Sequence, residues 1–102
     1  MTKVVAYVPD LMDRSRIAGV ADVTFVDRPA ALAATAADQN ADVVVVDLTR
    51  PGALEAVSSV PAPVIGFANH TERDLLESAR AAGCEQVLAR SAFFSRLPDL
   101  LG

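Results

Sequence analysis

The sequence predicts a doubly wound α/β domain on a five-stranded parallel sheet, with strand order 2-1-3-4-5. Three observations carry that expectation. Val43 to Val46 are four consecutive valines inside the apolar run 41–48, a pattern that suits a strand covered by helices on both faces rather than one with a wet face. Apolar runs alternate with helical segments along the rest of the chain, and repeated strand-helix-strand units with right-handed crossovers wind into this topology. The chain has 102 residues and is 52% hydrophobic, enough for one core and too short for two, so residues 1–102 are read as a single domain.

In chain order, the first strand is Lys3 to Val8 and the second Val23 to Val26. Leu11 to Ala18, between them, has room for about two helical turns. Arg28 to Gln39 is an alanine-rich helix with Asp27 as its N-cap, Pro29 in the first turn and Asn40 ending it in a left-handed conformation. The third strand, Ala41 to Leu48, leads to a short helix over Ala53 to Val57, and the fourth strand is Val64 to Ala68. The next helix is expected to start at Thr71, where Thr71 and Asp74 have capping-box spacing, to face the core with Leu75, Leu76, Ala79 and Ala82, and to stop at Gly83. Gln86 to Ala89 is the fifth strand, and the last helix, Ala92 to Leu97, is expected to be halted by Pro98. The first and last helices are therefore short.

Composition removes several function classes. The formal net charge is -4, Lys3 is the only lysine, and the arginines are scattered, so neither nucleic acid nor a membrane surface is an expected partner. The mean hydropathy is +0.33, yet no apolar stretch approaches the roughly 18 residues that cross a bilayer. The start of the chain lacks the long apolar segment and cleavage site of a signal peptide, and a soluble, cytoplasmic protein is expected. Cys84 is the single cysteine, which excludes an internal disulfide and a structural zinc site and leaves a small hydrophobe at a helix-to-strand turn. The loop from Pro9 to Asp13 has no Ser, Thr or Gly to cradle a flavin phosphate, and the chain has no dinucleotide or Walker glycine loop and no nucleophile elbow. An enzyme with its own catalytic machinery is not expected.

On a doubly wound sheet, ligands collect at the carboxyl ends of strands 1 and 3, where the strand order reverses. Those ends carry Asp10 and Asp47. The surrounding segments are Val8-Pro9-Asp10, Asp47-Leu48-Thr49-Arg50-Pro51-Gly52, Pro63 to Ala68, Ala81-Ala82-Gly83-Cys84 and Arg90-Ser91. In order and spacing these segments resemble the response-regulator receiver (CheY-like) family across nearly the whole chain, in a degenerate or pseudo-receiver form on a flavodoxin-like fold.

The resemblance implies roles residue by residue. Asp47 falls on the phosphoacceptor, Pro51 on its downstream proline, and Asp10 on an acidic position that binds Mg²⁺ together with the acceptor. Arg90 stands at the family's lysine position. Pro9 replaces the other acid, Ala68 the hydroxyl that senses the phosphoryl group, and Ser91 the usual cis proline. Mg²⁺ needs only one or two carboxylates, so the resemblance implies weak binding at Asp10 and Asp47. Switching is harder to retain. A shift from 1:99 to 99:1 takes about 5.5 kcal/mol of differential interaction, and a hydrogen bond to a charged group supplies only about 1.5–3 kcal/mol. Thr49, Asn69 and His70 are second-tier candidates to replace the hydroxyl absent at Ala68.

Two signalling readings result. The first is a stand-alone, atypical receiver-like domain that acts through contact with another signalling protein, or with itself as a homodimer, without a full phosphorylation switch. The alternative is a phosphorylatable single-domain response regulator using Asp47 and Mg²⁺. With the chain ending at Gly102, output in either case is expected to pass through a separate protein. Phe93, Phe94 and Leu97 are candidates for the interaction face, one ring packing inward and the other exposed. Asp13 is expected to be a surface charge of the first helix, and His70 an exposed residue near a helix start.

Overall fold

The valine run lies at the centre of the sheet. A computed structural model describes residues 2–102, and its strands are β1 (Lys3–Tyr7), β2 (Asp22–Phe25), β3 (Val43–Asp47), β4 (Val64–Ala68) and β5 (Gln86–Ala89). All four strand pairs are parallel, in the order β2-β1-β3-β4-β5. The helices are α1 (Leu11–Ala18), α2 (Leu32–Gln39), α3 (Ala53–Val57), α4 (Arg73–Ala81), α5 (Arg90–Ser95) and α6 (Leu97–Leu101). Every residue of β3 is buried.

Alternation along the central strands divides the core into two layers. Val5, Tyr7, Val44 and Val46 pack against Leu32 and Ala36 of α2, Ala53 and Val57 of α3, and Ala79 of α4. Val4, Ala6, Val43 and Val45 face the opposite way, against Ile17 of α1, Phe93 and Phe94 of α5, and Leu97 and Leu101 of α6. The Leu48 side chain packs down onto β4 because Gly66 has none: a Cβ there would lie 2.7 Å from Leu48 Cδ1.

Local signals at three helix ends gave way to chain geometry. Asp27 does not cap the second helix. Arg28 is the extended boundary residue (φ -150°), and Pro29–Ala31 form a 3-10 turn before α2, so Asp27 stands one residue too far back to reach the first free N–H groups. Its side chain is 97% exposed, with Arg14 3.8 Å away. Asn40 does end α2 in the left-handed region, at φ 51°. The capping box at Thr71 does not form, because α4 begins later, with Glu72 as its boundary residue and no side-chain cap. Glu72 N–H instead bonds Asn69 O at 3.0 Å, and Asn69 Nδ2 donates to Glu72 Oε1 at 3.1 Å. Gly83, at φ 110°, takes the left-handed conformation expected after that helix.

Pro98 starts a helix rather than stopping one. The chain bends at Arg96 (φ -108°, ψ 13°), and Pro98 occupies the first turn of α6, where its missing N–H has no intrahelical partner to lose. This bend carries Leu97 and Leu101 back onto the sheet. Phe93, Phe94 and Leu97 are accordingly buried, at 0%, 6% and 4% exposure, which corrects their assignment to an exposed interaction face. Phe93 stacks on Phe67 with centroids 4.7 Å apart, and Phe94 meets both rings edge-on. Among the described residues, the large hydrophobic side chains left exposed are Leu11 and Met12.

Candidate functional site

The parallel pairing of β1 with β3 runs from Val4 beside Val43 to Tyr7 beside Val46, which delivers the loops after both strands to one edge of the sheet. There Asp10, Asp13, Asp47, Arg50 and Arg90 line a cleft of about 200 Å³ together with Thr49, Phe67, Ala68 and Asn69. The sequence-derived candidates Asp10, Asp47, Arg90, Thr49, Ala68 and Asn69 thus share one site. His70 is exposed on the loop after β4 and lies outside the cleft lining.

Each carboxylate is already engaged. Asp10 is the N-cap of α1, its Oδ1 accepting from the N–H groups of Met12 (2.9 Å) and Asp13 (3.0 Å). These bonds favour the ionised form. They hold the Asp10 carboxyl below its ordinary range, the Asp13 N–H contributing most, with the positive charges of Arg90 and Arg50 adding to the effect. Asp47 is 4% exposed. Its Oδ1 accepts from Thr49 N–H at 3.1 Å and Thr49 Oγ1 at 2.6 Å, and Arg50 Nε stands 3.4 Å from its Oδ2.

Asp13 is a correction to the sequence reading. It is 2% exposed rather than a surface charge, because its place one turn before Ile17 turns it inward on the buried face of α1. Both of its oxygens accept from Arg90, Nη1 reaching Oδ2 at 2.7 Å and Nη2 bonding Oδ1. The fork-on-carboxylate geometry suits a guanidinium as it would not suit an ammonium. Hydrogen bonding to Asp13 is the main cause that raises the Arg90 pKa, and the negative charges of Asp13, Asp47 and Asp10 reinforce it. The same guanidinium lies 4.9 Å from the Phe94 centroid, while Arg16 covers that ring at 4.2 Å. The Arg90 guanidinium is therefore paired with α1 and packed on the aromatic layer.

Arg50 and Asp13 were the site residues missed by sequence reasoning. Asp13 had a signal in its spacing from Asp10 and Ile17; Arg50 had only its position three residues after Asp47. With three carboxylates and two guanidiniums, the five charged groups sum to -1.

A divalent ion finds few free oxygens in this arrangement. Asp10 Oδ2 accepts no N–H or hydroxyl of the described residues, and Asp47 Oδ2 accepts only the long bond from Arg50 Nε at 3.4 Å. Among the described residues there is no group of three or more His, Cys, Asp or Glu side chains placed to hold a metal. Asp10 and Asp47 still offer the one or two carboxylates that Mg²⁺ uses, with Arg50 competing for the Oδ2 of Asp47.

Comparison with solved structures identifies the architecture. The response regulator from Hahella chejuensis matches with a TM-score of 0.83 at 20% identity, covering 98% of this chain and 92% of that one. The chain has the receiver fold. The signal receiver domain of the response regulator NarL from Mycobacterium tuberculosis matches at 0.80 and 17% identity, covering 97% and 91% of the two chains. The receiver domain of the sensor histidine kinase PA1611 from Pseudomonas aeruginosa, which carries a magnesium ion coordinated in its active-site cleft, matches at 0.75 and 16% identity, covering 97% and 93%. No protein-family model and no curated protein matches the sequence. Among the described residues, no helix is long and apolar enough to cross a membrane.

Proposed function

We propose that this chain is an atypical receiver-like signalling domain of the two-component type, acting through protein contact in one conformational state rather than through a phosphorylation switch. The observation that carries this reading is the bidentate pairing of Arg90 with the buried carboxylate of Asp13. A receiver-type switch needs a cation free to meet a phosphoryl group on the acceptor and a hydroxyl to follow it. Here the cation is already paired with both oxygens of Asp13 without any phosphoryl group, and the hydroxyl position is Ala68, 1% exposed and without a polar side chain. Interaction by contact is supported by Leu11 and Met12, 75% and 79% exposed in the first turn of α1 directly after the cleft residue Asp10.

A second reading, a phosphorylatable regulator, is favoured by the presence of Asp47 and Asp10 in one cleft. In it, Asp47 would accept the phosphoryl group, and Mg²⁺ would be held by Asp10 and Asp47 after Arg50 moved aside. Beryllofluoride or acetyl phosphate with millimolar Mg²⁺, followed in the amide NMR spectrum, separates the two. The contact reading expects a silent spectrum. Shifts spreading from Asp47 through β4 and β5, and abolished in Asp47→Asn, would establish the regulator instead.

A further inference from the structure

We infer that Arg50 is a built-in counter-cation that occupies the place of a divalent ion over Asp47, so that the native cleft excludes such ions and loss of Arg50 admits them. The inference rests on reading the cleft as a receiver-type acidic site, and it adds a role for a residue outside that pattern. Its basis is the allocation of oxygens. Thr49 fills Asp47 Oδ1 with two hydrogen bonds, two N–H groups of α1 fill Asp10 Oδ1, and Arg90 takes both oxygens of Asp13. What remains for a metal is Asp10 Oδ2 and Asp47 Oδ2, and Arg50 Nε is 3.4 Å from the latter.

Charge leads to the same conclusion. With both arginines in place the cleft is -1, and a divalent ion would leave it at +1 with two guanidiniums facing it; without Arg50 the cleft is -2 and the ion neutralises it. Even at the dielectric constant of water, removing one positive charge about 5 Å from a divalent ion favours binding by more than tenfold. Arg50 is also well placed to be removed without loss of the fold, since 43% of its side chain is exposed and, among the described residues, its only ion pair is with Asp47. Arg90 lacks that freedom because it closes a buried pair.

Mn²⁺ alone, with no phosphoryl donor, is the probe. In ¹⁵N-labelled wild type, sub-stoichiometric Mn²⁺ should leave the amides around Asp10 and Asp47 unbroadened. In Arg50→Ala those amides should broaden selectively, with an affinity at least tenfold tighter, and adding Asp47→Asn to that variant should abolish the effect. The ¹⁵N spectrum without metal shows directly that each variant is folded. Equal Mn²⁺ binding by wild type and Arg50→Ala would overturn the inference, as would an Arg50→Ala protein that gains less than tenfold. Either result bears on the metal alone, whereas a beryllofluoride response in wild type bears on the switch, so the two ideas fail by different observations.

Discussion

Replacing Arg90 by methionine should destabilise the protein more than replacing Asp13 by asparagine, although the two residues form one ion pair. The asymmetry comes from exposure: the Asp13 side chain is 3% exposed and the Arg90 side chain 40%. Arg90→Met strands a carboxylate away from water, and breaking a buried pair in this way costs about 3–5 kcal/mol. Asp13→Asn leaves a guanidinium that turns to solvent, so its loss is limited to hydrogen bonds to a charged group, about 1.5–3 kcal/mol. A domain of this size has about 5–15 kcal/mol in total, so Arg90→Met removes a large share of it and Asp13→Asn a smaller one. At the low end of about 4 °C per kcal/mol, Arg90→Met should lower the melting midpoint by about 12 °C or more. The Asp13→Asn/Arg90→Met double variant removes the stranded charge and should recover part of that loss. Urea unfolding of all four proteins, with slopes checked for constancy, gives the cycle. Equal single losses, or a coupling under about 0.5 kcal/mol, would refute the claim that Asp13 depends on Arg90.

Two further outcomes test the core and the surface. Phe93→Ala empties a fully buried position that stacks on Phe67 and should cost about 3–5 kcal/mol, whereas Leu11→Ser, on an exposed side chain, should stay within about 0.5 kcal/mol; comparable losses in thermal unfolding would return Leu11 to the core. Desolvation raises the Cys84 thiol above its ordinary 9.0, so folded protein should react with iodoacetamide at pH 8 more slowly than urea-unfolded protein. Because the folded pKa is the higher one, Cys84 should also withdraw stability as pH rises above about 9, and equal alkylation rates in the two states would contradict the burial.

The sheet was legible because its signal is redundant. Buried valine runs, turn residues and crossover handedness all specify the same order, and the spans of α1, α3, β4 and β5 coincide with the residues expected from sequence. Asp10 and Asp47 could be placed because the ends of β1 and β3 are fixed by that order. Helix ends were less legible. Asp27 and Thr71 carry a genuine capping preference, but a one- or two-residue shift in where the helix begins removes the partner N–H groups on which it depends, while Pro98 is equally at home ending one helix or opening the next. The aromatic face was misjudged for a related reason: only the bend at Arg96 reveals that Phe94 and Leu97 turn inward together. Asp13 could not be ranked from sequence because its partner Arg90 lies 77 positions away, and Arg50 because a cation three residues from an acid in a loop has no fixed direction until the loop is folded.

The cap on α1 has a mechanical consequence. Asp10 both borders the cleft and anchors the first turn of a two-turn helix whose inward residues are Asp13 and Ile17. A visitor that draws Asp10 towards itself therefore pulls on the thread from which that helix is wound, and fraying would travel through Asp13 into the aromatic layer. The reverse holds as well: loosening the far end of the helix at Ile17 should blunt the aim of a carboxylate two turns away.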